Sequence, residues 1–291
     1  MYGNIVIGWD GGDQARDALA LAGLLRAKDA AAVAACVSSE SEEEPTAGWE
    51  GSLAATGSSD WVEPRAIAGR SAADGLRDFA EKVAADLIVV GSSRSEDVGR
   101  VVTGSVADRL LYASPCALAI APNGFRDTAA EPRLVGVAYD GSEGSVKGLE
   151  VGARITRSLG ASLRLVGVVS PLELAGTELL QHPSRSPAEA FEERRAELLR
   201  MLRAAAESVP SELSPQVVVA EGRPGDIILR EAWNGMHLLV MGARTSGPPR
   251  RLAAGGTAIE VMRRAPCPVL VVPGRAAAPN TDKGAPVTAD A

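Results

Sequence analysis

The sequence predicts an α/β protein of two tandem, doubly wound domains, each built on a five-stranded parallel sheet. Three observations predict it. The chain is written twice, each copy alternates short β-type runs with helical periodicity, and the best strands are apolar throughout. A continuously apolar strand such as LIVV or VLVV fits a parallel sheet covered by helices on both faces. A length of 291 residues suits two domains of about 100–150 residues each.

The repeat is read in register. IVIGWD at 5–10 is answered by VGVAYD at 135–140, each followed by a glycine pair or Gly-Ser and a helical stretch. DLIVVGSSR at 86–94 is answered by HLLVMGART at 237–245. Gly91 to Gly104 and Gly242 to Gly255 are the same 13-residue step. ASPCALAIAP at 113–122 then matches RAPCPVLVVP at 264–273. The domains are therefore placed at 1–122 and 132–273, with a linker at 123–131 and a tail from 274 to 291 that lacks the pattern of a strand or helix.

In the first copy, strands are expected near 4–9, 31–37, 62–68, 86–91 and 116–121. In the second they are expected near 134–139, 163–169, 216–220, 237–242 and 267–272. The first helix sets Ala15, Ala18, Leu19, Ala22 and Leu25 at three- and four-residue steps, one apolar face. The copies differ in their second helix. Residues 186–209 form a long helix with Ser186 as cap, Pro187 in the first turn and Glu189 placed to close a capping box. The matching stretch 38–60, SSESEEEPTAGWEGSLAATGSSD, has the composition of a solvated acidic loop, so its helix is missing or stunted.

Composition excludes several classes. A net charge of −7 disfavours unspecific contact with nucleic acid or anionic membranes. No apolar stretch reaches the ~18–20 residues of a membrane helix. The start, MYGNIVIGWDGG, lacks the basic segment of a signal peptide, and the chain reads as cytoplasmic. Cys36, Cys116 and Cys267 are too few and scattered for a disulfide framework. Cys116 and Cys267 hold the same place in both copies, which reads as packing of a small buried residue. His182 and His237 have neither metal spacing nor a serine partner, so no catalytic residue is assigned.

The glycine loops carry what chemistry there is. Ligands of open α/β sheets sit outside the C-terminal strand ends, where strand order reverses. Asp10, Val37 and Gly91 all lie at such ends. A helix opening at Gly104-Ser105 would aim free N–H groups and its positive dipole end at that crevice, enough for a phosphate without any basic side chain. Taken alone, the same pattern also describes an ordinary α/β connection.

The strand ending in Asp (IVIGWD), the run DLIVVG, then Gly-Ser-Val and a helix ending Ser-Pro-Cys, in order and twice, resemble the universal stress protein family. The resemblance implies an adenine-nucleotide alpha-hydrolase-like fold, dimerisation through the last strand, and ATP as ligand. A tandem chain would make that dimer internally, 116–121 against 268–272, as a pseudo-twofold pair that is monomeric or a dimer of such monomers. Nucleotide-binding members carry G-x2-G-x9-G-[ST] after the fourth strand. Copy one matches at Gly91, Gly104 and Ser105, with Arg94 at the second glycine, where its bulk crowds the phosphates or its charge compensates. Copy two matches at Gly242 and Gly255, with Thr245 at the second glycine and Gly256 at the hydroxyl position, Thr257 following one residue late. By the same resemblance, Gly8, Asp10, Val37, Val90 and Val106 complete the first site, and Asp140, Val169 and Met241 the weaker second one. Asp10 and Asp140 have a second reading, as groups that satisfy loop amides. The function expected is a non-catalytic, ATP-binding stress-response module with an unidentified protein partner. The alternatives are a scaffold that has lost nucleotide binding, and a slow ATP hydrolase.

Overall fold

A computed structural model describes residues 1–38, 49–93, 101, 104–128, 133–171, 186–213, 215–246 and 251–274. The first copy runs β1 (Tyr2–Gly8), α1 (Asp13–Leu25), β2 (Arg26–Ser38), α2 (Trp49–Ala54), β3 (Val62–Ala68), α3 (Ala72–Lys82), β4 (Leu87–Gly91), α4 (Ser105–Ala113) and β5 (Ala117–Ala121). A short α5 (Phe125–Thr128) follows. The second copy runs β6 (Leu134–Ala138), α6 (Glu143–Leu159), β7 (Ser162–Val169), α7 (Pro187–Glu207), a 3-10 turn at Ser211–Leu213, and β8 (Gln216–Glu221). It closes with α8 (Pro224–Trp233), β9 (Leu238–Ser246), β10 (Arg251–Ala253), α9 (Gly256–Met262) and β11 (Val269–Pro273).

The eleven strands of the described residues make one sheet, ten of them in the order β3-β2-β1-β4-β5-β11-β9-β6-β7-β8 and the short β10 beside β9. Within each copy the strands are parallel except for the short β10, which pairs antiparallel with β9; the copies meet at β5 and β11, which also pair antiparallel. The seam sets Val269 against Ile120, Leu270 against Ala119 and Val271 against Leu118. Each last strand thus covers the edge of the other, as a tandem pair related by a pseudo-twofold requires.

Alternation along the strands splits the core into two layers. Ile5, Ile7, Leu87, Val89, Ala119, Leu270 and Val240 face α1, α2, α6 and α7. Val6, Ile88, Val90, Leu118, Ile120, Val271 and Leu239 face α3, α4, α8 and α9. Both layers run unbroken through both copies. The apolar face expected for α1 is buried at all five positions.

Several elements differ from the sequence reading. β2 begins at Arg26, directly after α1, because Arg26 pairs with Tyr2 across an irregularity in β1; the exposed Lys28 and Asp29 disguise it as a loop. The stunted second helix is the six-residue α2, while the acidic run Glu40–Glu44 lies outside the described residues, as do His182 and the tail from 275. Ser186 is the N-cap of α7 with Pro187 following it, but its side chain makes no capping hydrogen bond. Gly274 belongs to the folded body rather than to the tail: it is buried and its N–H donates to the Ala243 carbonyl at 2.8 Å.

The linker is held by a group that carries no motif. Asp17, on α1 and 0% exposed, accepts hydrogen bonds from the backbone N–H of Gly124 at 2.8 Å and of Arg126 at 3.0 Å. Asp17 therefore replaces water for two amides at the start of α5. Asp17→Ala is expected to lower the stability of the intact protein by about 2–5 kcal/mol, since two donors lose a charged acceptor. Urea unfolding of the two proteins measures it, and a loss near zero would mean that α5 is not anchored this way.

Candidate functional site

The chain passes from β1 outward to β2 and β3, then returns to β4 on the other side of β1. Strand order reverses there, and a crevice opens beyond the C-terminal ends of β1 and β4. The loop after β1 is set by Asp10, whose Oδ1 accepts from the Gly12 N–H at 2.8 Å, and by Gly11 in the left-handed region at φ +78°. The second copy repeats the turn. Asp140 Oδ1 accepts from the Ser142 N–H at 2.9 Å, and Gly141 has φ +81°. Both aspartates thus do satisfy loop amides. Burial alone would raise the Asp140 carboxyl, but hydrogen bonds from Ser142 and Ser145 outweigh it and hold it below its ordinary value.

The two motif glycines of each copy have different causes. A Cβ on Gly91 would overlap the backbone carbonyl of Gln14, and one on Gly242 would overlap the Gly144 carbonyl. These glycines let α1 and α6 press onto the sheet, so the fold itself demands them. Gly104 is otherwise. Its backbone is extended at φ −87° and ψ 174°, open to any residue, and an added Cβ would meet nothing nearer than Ser93 Cβ at 3.5 Å. Among the described residues no packing asks for glycine at 104.

Gly8, Asp10, Val37, Val90, Gly91, Gly104, Ser105 and Val106 all line one cleft of about 360 Å3. Gly104 is the N-cap of α4 and provides no side-chain cap, so the first N–H groups of that helix open toward the cleft with no acceptor from the cap residue. Among the described lining residues none is Lys or Arg. Arg94 lies outside the described residues. The sequence reading missed Trp9, Cys36, Ala72 and Leu76, which also line the cleft. Trp9 and Cys36 adjoin Asp10 and Val37 and were within reach. Ala72 and Leu76 come from α3 and carry no local signal.

In the second copy, Val169 and Met241 are buried, Thr257 is half-buried, and Gly255 and Gly256 are exposed at the start of α9. The strand expected near 237–242 runs further. β9 continues through Thr245 to Ser246 and turns back as β10, pairing Thr245 with Leu252. The hairpin leads onto the first copy, where the Ala254 N–H donates to the Leu111 carbonyl at 3.1 Å. The reciprocal bond runs from the Val101 N–H to the Ala265 carbonyl at 2.8 Å. Here the segment after the fourth strand serves the junction between the copies.

Burial pushes the Cys116 thiol up to about 12, eased slightly by its hydrogen bond with Ser114, and burial pushes Cys267 up to about 12 as well. The packing role expected of this pair fits. Cys36, half-buried at the cleft, is raised by burial and then by the Asp10 charge. His237 donates its backbone N–H to Leu134, as Asp86 does to Asn4, so both hold one position of the repeat.

Comparison with known proteins agrees on this architecture. The model of the universal stress protein family matches twice, over residues 1–122 and 132–273. A universal stress protein of Mycobacterium tuberculosis is 30% identical over 206 residues, 70% of this chain and 70% of its own. One from Thermus aquaticus is 32% identical over 138 residues, 47% of this chain and 95% of its own. In three dimensions the crystal structure of a universal stress protein from Archaeoglobus fulgidus superposes with a TM-score of 0.62 at 17% identity, covering 94% of this chain and 98% of that one. With the repeat, the crossover order and the family match coinciding in both halves, the chain belongs to the universal stress protein family.

Proposed function

We propose that this protein is a cytoplasmic, non-catalytic stress-response module that binds an adenine nucleotide, ATP, in the first-copy cleft and more weakly in the second. The observation that carries the reading is Gly104. It sits at the N-terminus of α4, faces a cleft of about 360 Å3, and meets no packing among the described residues that requires glycine. A bound phosphate supplies that reason, since it needs close approach to backbone N–H groups. The cleft volume falls in the range of small-molecule sites, about 300–1,000 Å3. Val37 and Val90 offer apolar walls for a base, and Asp10 retains a second carboxylate oxygen for a ribose hydroxyl.

Cys36 provides a direct test, since it is the half-buried thiol of the three and lines the cleft. A thiol reagent is expected to modify Cys36 alone in the native protein and all three cysteines after unfolding. ATP at ten times its Kd should slow Cys36 labelling about tenfold. Mass spectrometry of whatever nucleotide leaves the denatured protein identifies the ligand. A labelling rate indifferent to ATP, with no nucleotide released, would leave the scaffold reading in its place.

A further inference from the structure

A second cavity lies on the far side of α1 from the cleft, and nothing in the family match assigns it. Its origin is the asymmetry between the copies. In the second copy the 21-residue α7 lays Leu198 and Leu202 over Gly167 of β7. In the first copy the described part of the corresponding connection supplies the six residues of α2. Beside α2 a cavity of about 590 Å3 remains between α1, α2 and Trp61.

The lining has two chemistries. Arg16 and Arg126 are the charged residues of the lining, and no acidic residue is among the described lining residues. Both arginines are held from outside the cavity by Asp13, at 3.5 and 2.9 Å from its Oδ1, and Arg126 also by Asp127 at 3.6 Å. Those carboxylates are largely exposed, 63% and 70%, so water screens them and they position the guanidiniums more than they neutralise them. The other wall is apolar: Leu19, the small floor at Gly23, and the indole of Trp61. The Arg26 guanidinium stacks on that indole, 4.7 Å from its centroid, and fixes the ring against α1. Thr56 adds a hydroxyl whose proton is committed to the Leu53 carbonyl, so the oxygen offers no donor of its own.

We propose that this cavity is a binding site for a planar aromatic carboxylate, distinct from the nucleotide cleft. Guanidinium groups match a carboxylate bidentately, and a flat apolar body suits the indole wall. The volume is right for such a ligand with room to spare. Gly23 keeps the floor open. A Cβ there would stand 3.7 Å from Trp61 Cζ2, an ordinary contact, so a longer side chain would enter the cavity rather than disturb the helix.

The test is calorimetry of the full chain with 2-naphthoate, and with 2-naphthol as the uncharged analogue. Naphthoate is expected to bind with a Kd of about 1 mM or tighter, and naphthol about tenfold or more weakly. Arg16→Gln should weaken naphthoate about tenfold by removing one charged donor. Gly23→Leu should abolish naphthoate binding by filling the cavity, with ATP titrations of both variants matching the parent. Arg16 is partly exposed and pairs only at the surface, so that variant should keep its fold even if Gly23→Leu does not. The proposal is overturned if naphthol binds as well as naphthoate, if neither variant changes the affinity, if no binding is seen, or if Gly104→Asp removes it and so places the ligand in the cleft.

Discussion

Gly104→Asp is expected to abolish ATP binding by the first copy, a loss of more than about a hundredfold, while leaving the fold intact or slightly steadier. The backbone at 104 is extended, and the nearest described atom outside its chain neighbours is 3.5 Å from an added Cβ, so packing among the described residues leaves room for a side chain. Asp is moreover a good N-cap and a favourable charge at a helix N-terminus, so α4 gains a few tenths of a kcal/mol. A bound phosphate meets the opposite: bulk in its place and a like charge at close range. Loss of binding without loss of stability is the signature, and a structural role cannot produce it. Gly255→Asp meets no described atom within 4 Å of the added Cβ and should leave the first-copy titration unchanged. The second copy is expected to bind more weakly, because Gly256 stands where Ser105 offers a hydroxyl. One hydrogen bond to a charged group is worth about 1.5–3 kcal/mol, or roughly tenfold to a hundredfold in affinity. Calorimetry on both variants, with thermal unfolding alongside, decides it. Binding that survives Gly104→Asp and vanishes in Gly255→Asp would reverse the assignment of the two sites.

Residues 1–131 and 132–291, produced separately, are expected to self-associate or aggregate, whereas the intact chain scatters light as a monomer or a dimer of such monomers. In the intact protein Leu118, Ala119 and Ile120 are fully buried against Val269, Leu270 and Val271. Cutting the linker turns each of these strands into an open, flat, apolar edge, with backbone donors and acceptors unpaired. Each half also loses one side of the reciprocal bonds between Val101 and Ala265 and between Ala254 and Leu111. Mixing the halves should restore the one-to-one pair, because the seam is complementary to itself under the pseudo-twofold. Two halves that stay monomeric and soluble would refute the seam as the element that holds the copies together.

The sequence by itself determined the duplication, the α/β class and the strands of the core. Those properties are local: LIVV, ALAIA and VLVV declare burial on both faces, and the Ala15–Leu25 face declares its own period. It also brought to one cleft Gly8, Asp10, Val37, Val90, Gly91, Gly104, Ser105 and Val106, because strand ends and helix starts are local features too. Only the tertiary structure decided what each glycine is for. Gly91 and Gly104 look alike in a motif, yet one is required by the carbonyl of Gln14, 77 positions back in the chain, and the other by no contact among the described residues. The same holds for Asp17, a charged residue on a helix until α5 brings two amides to it, and for Thr245, a loop residue until Leu252 pairs with it. Periodicity encodes how deeply a residue is buried; the partner that meets it there is chosen by the packing of segments far apart in the chain, and no local pattern carries that choice.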